Sequence, residues 1–232
     1  MSDFRNELGQ PIGAPVTGSF PRPEPPRTTM AGRTCSVVPL EVEAHAEGLF
    51  AAFREDGENR IWTYLPYGPF ETLDAFIAWM QGTCLGEDPL FHAILDSDGR
   101  PLGVASYLRI DPQAGAIEVG HINYAPRLQR STAATEAMYL LMRRVFDELG
   151  YRRYEWKCDA LNAGSRAAAE RLGFVYEGTF RQATHYKGRN RDTAWYAVID
   201  KDWPKIDGAS RRWLDPENFD EDGRQKSPLR LR

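Results

Sequence analysis

The chain has 232 residues, a formal net charge of −4, and 42% apolar against 27% charged residues. That length supports one substantial core rather than two, and the balance is that of a folded domain rather than a disordered one. No window approaches the ~18 consecutive apolar residues that span a bilayer, and the net charge gives no general pull toward nucleic acid or anionic lipid, so neither is expected as a partner.

The N-terminus has neither a basic start nor an apolar run, so no secretion signal is expected. Residues 1–32 read as a proline-rich arm. Pro11, Pro15, Pro21, Pro23, Pro25 and Pro26 deny it a helix, and either a disordered leader or an extended arm laid over the body suits that composition. A single domain is expected over residues 33–204. Cys35–Leu40 reads as a strand and Val42–Phe53 as a helix with Ala46, Leu49 and Phe53 on one side. Trp62, Tyr64, Tyr67 and Phe70 crowd a Pro/Gly-broken segment before a second helix, Leu73–Gln81. Strands follow over Leu90–Leu95 and Leu102–Ile110, separated by the hairpin signal Asp98-Gly99, and a third over Ala116–Asn123.

Ser131–Leu149 carries the clearest helical pattern. Ala134, Met138, Leu141, Val145 and Leu149 form its apolar stripe, while Glu136, Arg143, Arg144, Asp147 and Glu148 lie mostly away from it. Gly150 supplies the stop. Arg153–Cys158 alternates as a strand, Ala163–Leu172 is a short helix ended by Gly173, and Phe174–Phe180 with Thr193–Ile199 close as an antiparallel pair. Residues 205–232 turn polar and read as a peripheral tail anchored by Trp213 and Leu214. One strand–helix–strand crossover inside a mostly antiparallel mixed sheet implies a three-layer α/β/α architecture.

Several chemistries are absent. The sequence has no Gly-x-Gly dinucleotide fingerprint, no Gly-Lys pair of a phosphate loop, and no Gly-x-Ser-x-Gly elbow. His45, His92, His121 and His185 are isolated, and no Cys or His pair has zinc spacing, so no metal is expected. Cys35, Cys84 and Cys158 suit three reduced thiols and a cytoplasmic location.

Two units remain. In the first, Ala116 to Ala137, a strand runs through an Arg127/Arg130 loop into small residues at the start of the long helix. Free N–H groups and a positive dipole end there make a seat for a diphosphate. Capping by Ser131 or Thr132 explains the same residues without a ligand. The second is Asp-Ala-Leu-Asn-Ala-Gly-Ser-Arg (159–166), followed by Arg-Leu-Gly-Phe (171–174) and Glu-Gly-x-Phe-Arg (177–181).

Together these units resemble the GNAT superfamily of N-acetyltransferases, and within it the ribosomal-protein N-terminal acetyltransferase branch, over about Arg33 to Pro204. The family's Gln/Arg-x-x-Gly-x-Gly/Ala cradle is represented by Gln129, Arg130, Ser131, Thr132, Ala133 and Ala134, with Thr132 in place of the central glycine. The resemblance implies a splayed cleft for acetyl-coenzyme A. The pantetheine would bond to backbone around Ile122, Asn123 and Tyr124, with the Asn162 side chain as a further contact. The tyrosine many relatives carry seven residues after the Asn is Ala169 here, and Ser165 resembles the serine suggested as acid in the ribosomal branch. Glu118, expected on one strand face with Gly120 and Ile122, is the candidate base that takes a proton from the attacking amine. Trp62 and Tyr64 are candidates to shape the acceptor pocket. The expected function is acetyl transfer to a primary amine of a protein N-terminus or lysine. A small amine such as a polyamine, amino acid or antibiotic, or a silent coenzyme A-binding module, stays open. So does the choice between monomer and homodimer.

Overall fold

The computed structural model describes residues 4–231; the first three residues of the expected arm and the last of the expected tail lie outside them. Eight strands form one open sheet in the order β1-β2-β3-β4-β5-β6-β8-β7. They are β1 Met30–Ala31, β2 Cys35–Pro39, β3 Leu90–Asp96, β4 Pro101–Asp111, β5 Ala116–Tyr124, β6 Arg153–Asp159, β7 Val175–Tyr186 and β8 Arg189–Ile199. Only β5 and β6 run parallel, joined by the crossover helix α3, Thr132–Arg143, which widens into a π turn over Arg144–Glu148. The remaining helices are α1 Val42–Phe53, α2 Leu73–Thr83, α4 Ala163–Arg171 and α5 Trp203–Leu214.

Strand alternation puts these helices on two faces. Phe91 of β3 meets Trp79 of α2 edge-on. Its neighbour His92 points to the other face and packs against Tyr107, whose hydroxyl donates to Leu141 O of α3. Helices α1 and α2 therefore cover one face. The other carries α3, α4 and α5, because α5 packs on α3 and Ser165 of α4 accepts from Trp156 of β6. The α/β three-layer expectation is met.

Of the two alternatives for the arm, its second half follows the extended one: Arg22 N–H bonds Pro112 O, Arg27 reaches Gly86 O and Glu87, and Met30 is buried in β1. Three local expectations change. The stretch 205–232 is not a polar tail throughout. Residues to Leu214 belong to α5, which buries Trp203, Ile206, Ala209 and Trp213. Their 3–4 spacing was diluted by Lys205, Arg211 and Arg212 on the solvent side. Strands β7 and β8 continue to a turn at Lys187-Gly188 (φ 48° and 69°), a hairpin whose polar residues show no apolar alternation. Finally, Glu136 and Arg144 are buried rather than solvated, 6% and 4% exposed. Glu136 accepts from the backbone N–H groups of Arg33 and Thr34, and Arg144 donates to Thr28 O, so the polar side of α3 holds the arm and β1 in place.

His92 makes the fold sensitive to acid. It is fully buried, and the Leu90 backbone is all the polar support its ring has among the described residues. Burial, with help from the Arg144 charge, pushes its pKa down to about 4. The unfolded chain takes up that proton near pH ~6.5, so stability is complete above this value and falls as pH drops toward 4. The loss attributable to His92 is about 3 kcal/mol once both states are protonated. Urea unfolding between pH 7 and pH 4 should show His92→Leu losing less stability than the parent. Equal losses would exclude His92 as the cause.

Candidate active site

Pairing between β5 and β6 ends at Val119↔Trp156; β6 stays paired with β8 as far as Asp159, and the two parallel strands part. On one side of this splay lies a cleft of about 930 Å³, walled by β5, the start of α3, and α4. On the other lies a pocket of about 710 Å³, between β5, β6, β8 and the loop around Arg60–Pro66. Ile61, Ile122, Trp156, Asn162 and Ser165 line both. A ligand threaded through the splay would meet a second one there.

The cleft contains the expected cradle, apart from Ala133. Ser131 is the N-cap: its Oγ accepts from Ala134 N–H (3.0 Å). Thr132 is the first residue of α3 and is absent from the positive-φ positions, so the missing glycine costs the backbone nothing there. The N–H groups of Thr132 and Ala133 have no acceptor among the described residues. Gln129 closes the loop by donating to Tyr124 O. Arg130, Arg171 and Arg224 line the cleft and, among the described residues, no carboxylate does. Open N–H groups, small side chains and three guanidiniums fit an extended diphosphate ligand.

Arg130 occupies the left-handed region with φ 58°. This conformation costs a non-glycine residue about 1–2 kcal/mol, and the residue lines the cleft. Arg130→Gly should therefore leave the melting temperature level or slightly higher while raising the donor's KM. A melting loss with an unchanged KM would reverse that assignment.

The C-terminal wall of the cleft was not anticipated. Trp213 of α5 donates to Gln225, meets Phe219 edge-on and lies under the Arg171 guanidinium. Trp213 was visible in the sequence as an apolar anchor, but nothing there indicated what it packed on.

At the junction, Asn162 Oδ1 accepts from Ser165 N–H and caps α4, leaving its amide NH₂ without a partner among the described residues. Ser165 Oγ accepts from Trp156 Nε1 (2.9 Å), and its proton points toward the buried Cys158 sulfur, a weak acceptor from which a stronger one can take it. Ala169 is wholly buried and supplies no acid.

Glu118 reaches the pocket, 3% exposed. Both of its ion pairs, to Arg109 and to Lys157 (2.8 Å each), fall on Oε2. Oε1 makes no hydrogen bond and is not among the buried unsatisfied atoms. The expectation that Glu118 shares a face with Ile122 is corrected. His121 and Ile122 both lie opposite Ala105, and this bulge, with His121 at φ 50°, reverses the alternation beyond Gly120. Burial, Arg109 and Arg191 push the His121 pKa down to about 4, so its ring is neutral at pH 7.

Tyr64 lines the pocket and donates to Leu161 O. Trp62 does not. It is 4% exposed among Phe53, Tyr67 and Phe70, and only its carbonyl participates, accepting from Lys187. With Arg189 donating to Thr63 O, that bond ties the β7–β8 hairpin over the pocket.

A mixed sheet splayed at its one parallel pair, with a cleft and open N–H groups at the start of the crossover helix, is an acyl-coenzyme A-dependent transferase architecture. The Acetyltransferase (GNAT) domain family matches residues 37–175, and the chain belongs to the GNAT acetyltransferases. A GCN5-related N-acetyltransferase structure from Brucella melitensis is 45% identical, with a TM-score of 0.90, covering 92% of this chain and 97% of that one. A GNAT-family structure from Chromobacterium violaceum ATCC 12472 is 41% identical, with a TM-score of 0.75, covering 84% of this chain and all of that one (100%). A ribosomal L7/L12 alpha-N-protein acetyltransferase solved with coenzyme A resembles it in fold alone, at 21% identity and a TM-score of 0.64, over 74% of this chain and 98% of that one. Among curated proteins, "Putative ribosomal N-acetyltransferase YdaF" of Bacillus subtilis (strain 168) is 28% identical over 106 residues, 46% of this chain. The chain spans a little over half, 57%, of that relative. No helix among the described residues is long and apolar enough to cross a membrane, and none of their side-chain groupings would hold a metal ion.

Proposed function

We propose that this protein moves an acetyl group from acetyl-coenzyme A to a primary amine by direct attack on the thioester. The observation that carries this reading is the junction itself: a diphosphate-fitting cleft and a separate pocket with charged residues in its lining meet at the splay, beside Asn162 and Ser165.

In this reading the free N–H groups of Thr132 and Ala133, with Arg130, hold the diphosphate. The splayed edge at Ile122, Asn123 and Tyr124 and the free Asn162 amide hold the pantetheine. Glu118 Oε1 accepts the proton released by the amine as nitrogen bonds to the acetyl carbon. When the carbon–sulfur bond breaks, the departing thiolate takes a proton from Ser165. The Trp156 N–H donated into Ser165 Oγ makes that hydroxyl a better donor.

The names of the relatives support a peptide N-terminus as the acceptor. A second reading, a small amine, is favoured by the pocket's volume of about 710 Å³ and its tied hairpin, since ligand pockets run ~300–1,000 Å³. Buried unpaired Cys35, Cys84 and Cys158 support a reducing, cytoplasmic setting. Thiol release from acetyl-coenzyme A, followed with peptide and small-amine panels, tests the reading. Donor binding with no release in either panel would leave only a silent binding module.

A further inference from the structure

We propose that the acceptor carries a carboxylate within a few bonds of the amine that is acylated, and that Arg191 recognises it. The proposal rests on the acetyl-transfer reading and adds the chemistry of the acceptor.

The pocket's charged lining is Arg60, Arg109, Lys157 and Arg191 against Glu118 and Asp159, an excess of positive charge. Both carboxylates are already engaged. Glu118 Oε2 serves Arg109 and Lys157, while Asp159 accepts the Tyr186 hydroxyl (2.7 Å) and Leu161 N–H (2.8 Å). Arg60 pairs with the exposed Glu58.

Arg191 is different. Among the described residues no carboxylate lies within ion-pair distance of its guanidinium, and its Nε is buried without an acceptor. The Tyr186 ring lies 6.0 Å from its guanidinium carbon. Two positions along on the same face of β8 follow Thr193 and then Trp195, both lining the pocket, and Trp195 Nε1 is likewise buried and unpaired. Neither Nη of Arg191 makes a hydrogen bond or ion pair among the described residues, and neither is among the buried atoms, so both remain open to a ligand that brings acceptor oxygens. The backbone beneath them is held by Gln182 N–H donating to Asp192.

The same charge excess acts on the amine. Nearby cations disfavour an ammonium, so a bound amine loses its proton more readily, and Glu118 Oε1 remains to receive it. A polycation has no such remedy for the repulsion. An acceptor whose own carboxylate meets Arg191 offsets the charge and still presents a neutral nucleophile. A free amino acid supplies this group, and so does a peptide with an acidic residue beside its terminal amine.

The test compares acid and amide versions of one amine. One arm uses free amino acids and amino-acid amides. A second uses C-amidated peptides with Asp or Asn at the second residue, and a polyamine serves as the cationic control. A buried charge-assisted contact predicts a kcat/KM at least ~10-fold higher for the acid, mostly through KM, falling to within about twofold in Arg191→Gln. Arg191→Lys should restore part of the advantage, and the KM for acetyl-coenzyme A should not move. An advantage in the first arm identifies a small molecule and one in the second an acidic peptide. Parity, a preference for amide or polyamine, or an advantage that survives Arg191→Gln would overturn the proposal. If no amine releases thiol, the acetyl-transfer reading itself fails. Calorimetry of N-acetylated acids and their amides on the coenzyme A-loaded protein then reads the pocket alone, and equal heats overturn the carboxylate.

Discussion

Thr132→Glu should abolish useful donor binding while leaving the protein folded. The residue opens α3, next to N–H groups that have no acceptor among the described residues. A carboxylate there stands where the diphosphate is proposed to sit. At ~4 Å and an effective dielectric near ~20, one pair of like charges costs about 4 kcal/mol, so affinity should fall ~10³-fold or more. Stability should be unaffected or slightly improved, because an acidic side chain in the first turn of a helix is favourable to its dipole. Calorimetry with coenzyme A and a thermal melt read the two effects separately. Thr132→Gly, which restores the glycine of the resembling motif, should bind as the parent does. Equal donor affinity in parent and Thr132→Glu would remove the cradle from the binding site.

Glu118→Gln should lower turnover by ~10²- to 10⁴-fold at neutral pH, the usual range for a lost general base. The defect should shrink at high pH, where more of the acceptor is already free amine. Glutamine keeps the shape and an acceptor oxygen, so orientation alone is preserved. The ion pairs confound this test only partly. Lys157 keeps Glu155 at 2.8 Å, and Arg109, 61% exposed, can reach water. An unchanged coenzyme A affinity would show that the site is still assembled. A Glu118→Gln enzyme whose pH–rate profile matches the parent would exclude the base role. Solvent would then be the proton acceptor in a pocket whose cations already favour the neutral amine.

Much of the frame was legible in the sequence because it depends on local periodicity. The stripe from Ala134 to Leu149 can be buried only by a helix, and Asp98-Gly99 between two apolar runs only makes a hairpin. Asn162, Ser165 and the turn before α3 were legible because caps and cradles are built from consecutive residues. The amphipathic pattern failed where tertiary neighbours changed what a polar residue meets. Glu136 and Arg144 look solvent-facing by spacing, yet the arm and β1 supply their hydrogen-bond partners from more than 100 positions away. Trp62 and Tyr64, two residues apart, both suited a pocket; packing against Phe53 and Phe70 put Trp62 in the core.

The sequence by itself determined the crossover, the helix start that can seat an anion, and the absence of the tyrosine at Ala169. Each is a property of residues adjacent in the chain. Only the tertiary structure decided the splay between β5 and β6, the bulge that turns Ile122 away from Glu118, and the C-terminal wall at Trp213. It also decided that Arg191 on β8 and Glu118 on β5 line one pocket. Which charges end without a partner depends on strand register and on hairpin packing, and those are set by contacts between residues far apart in the chain.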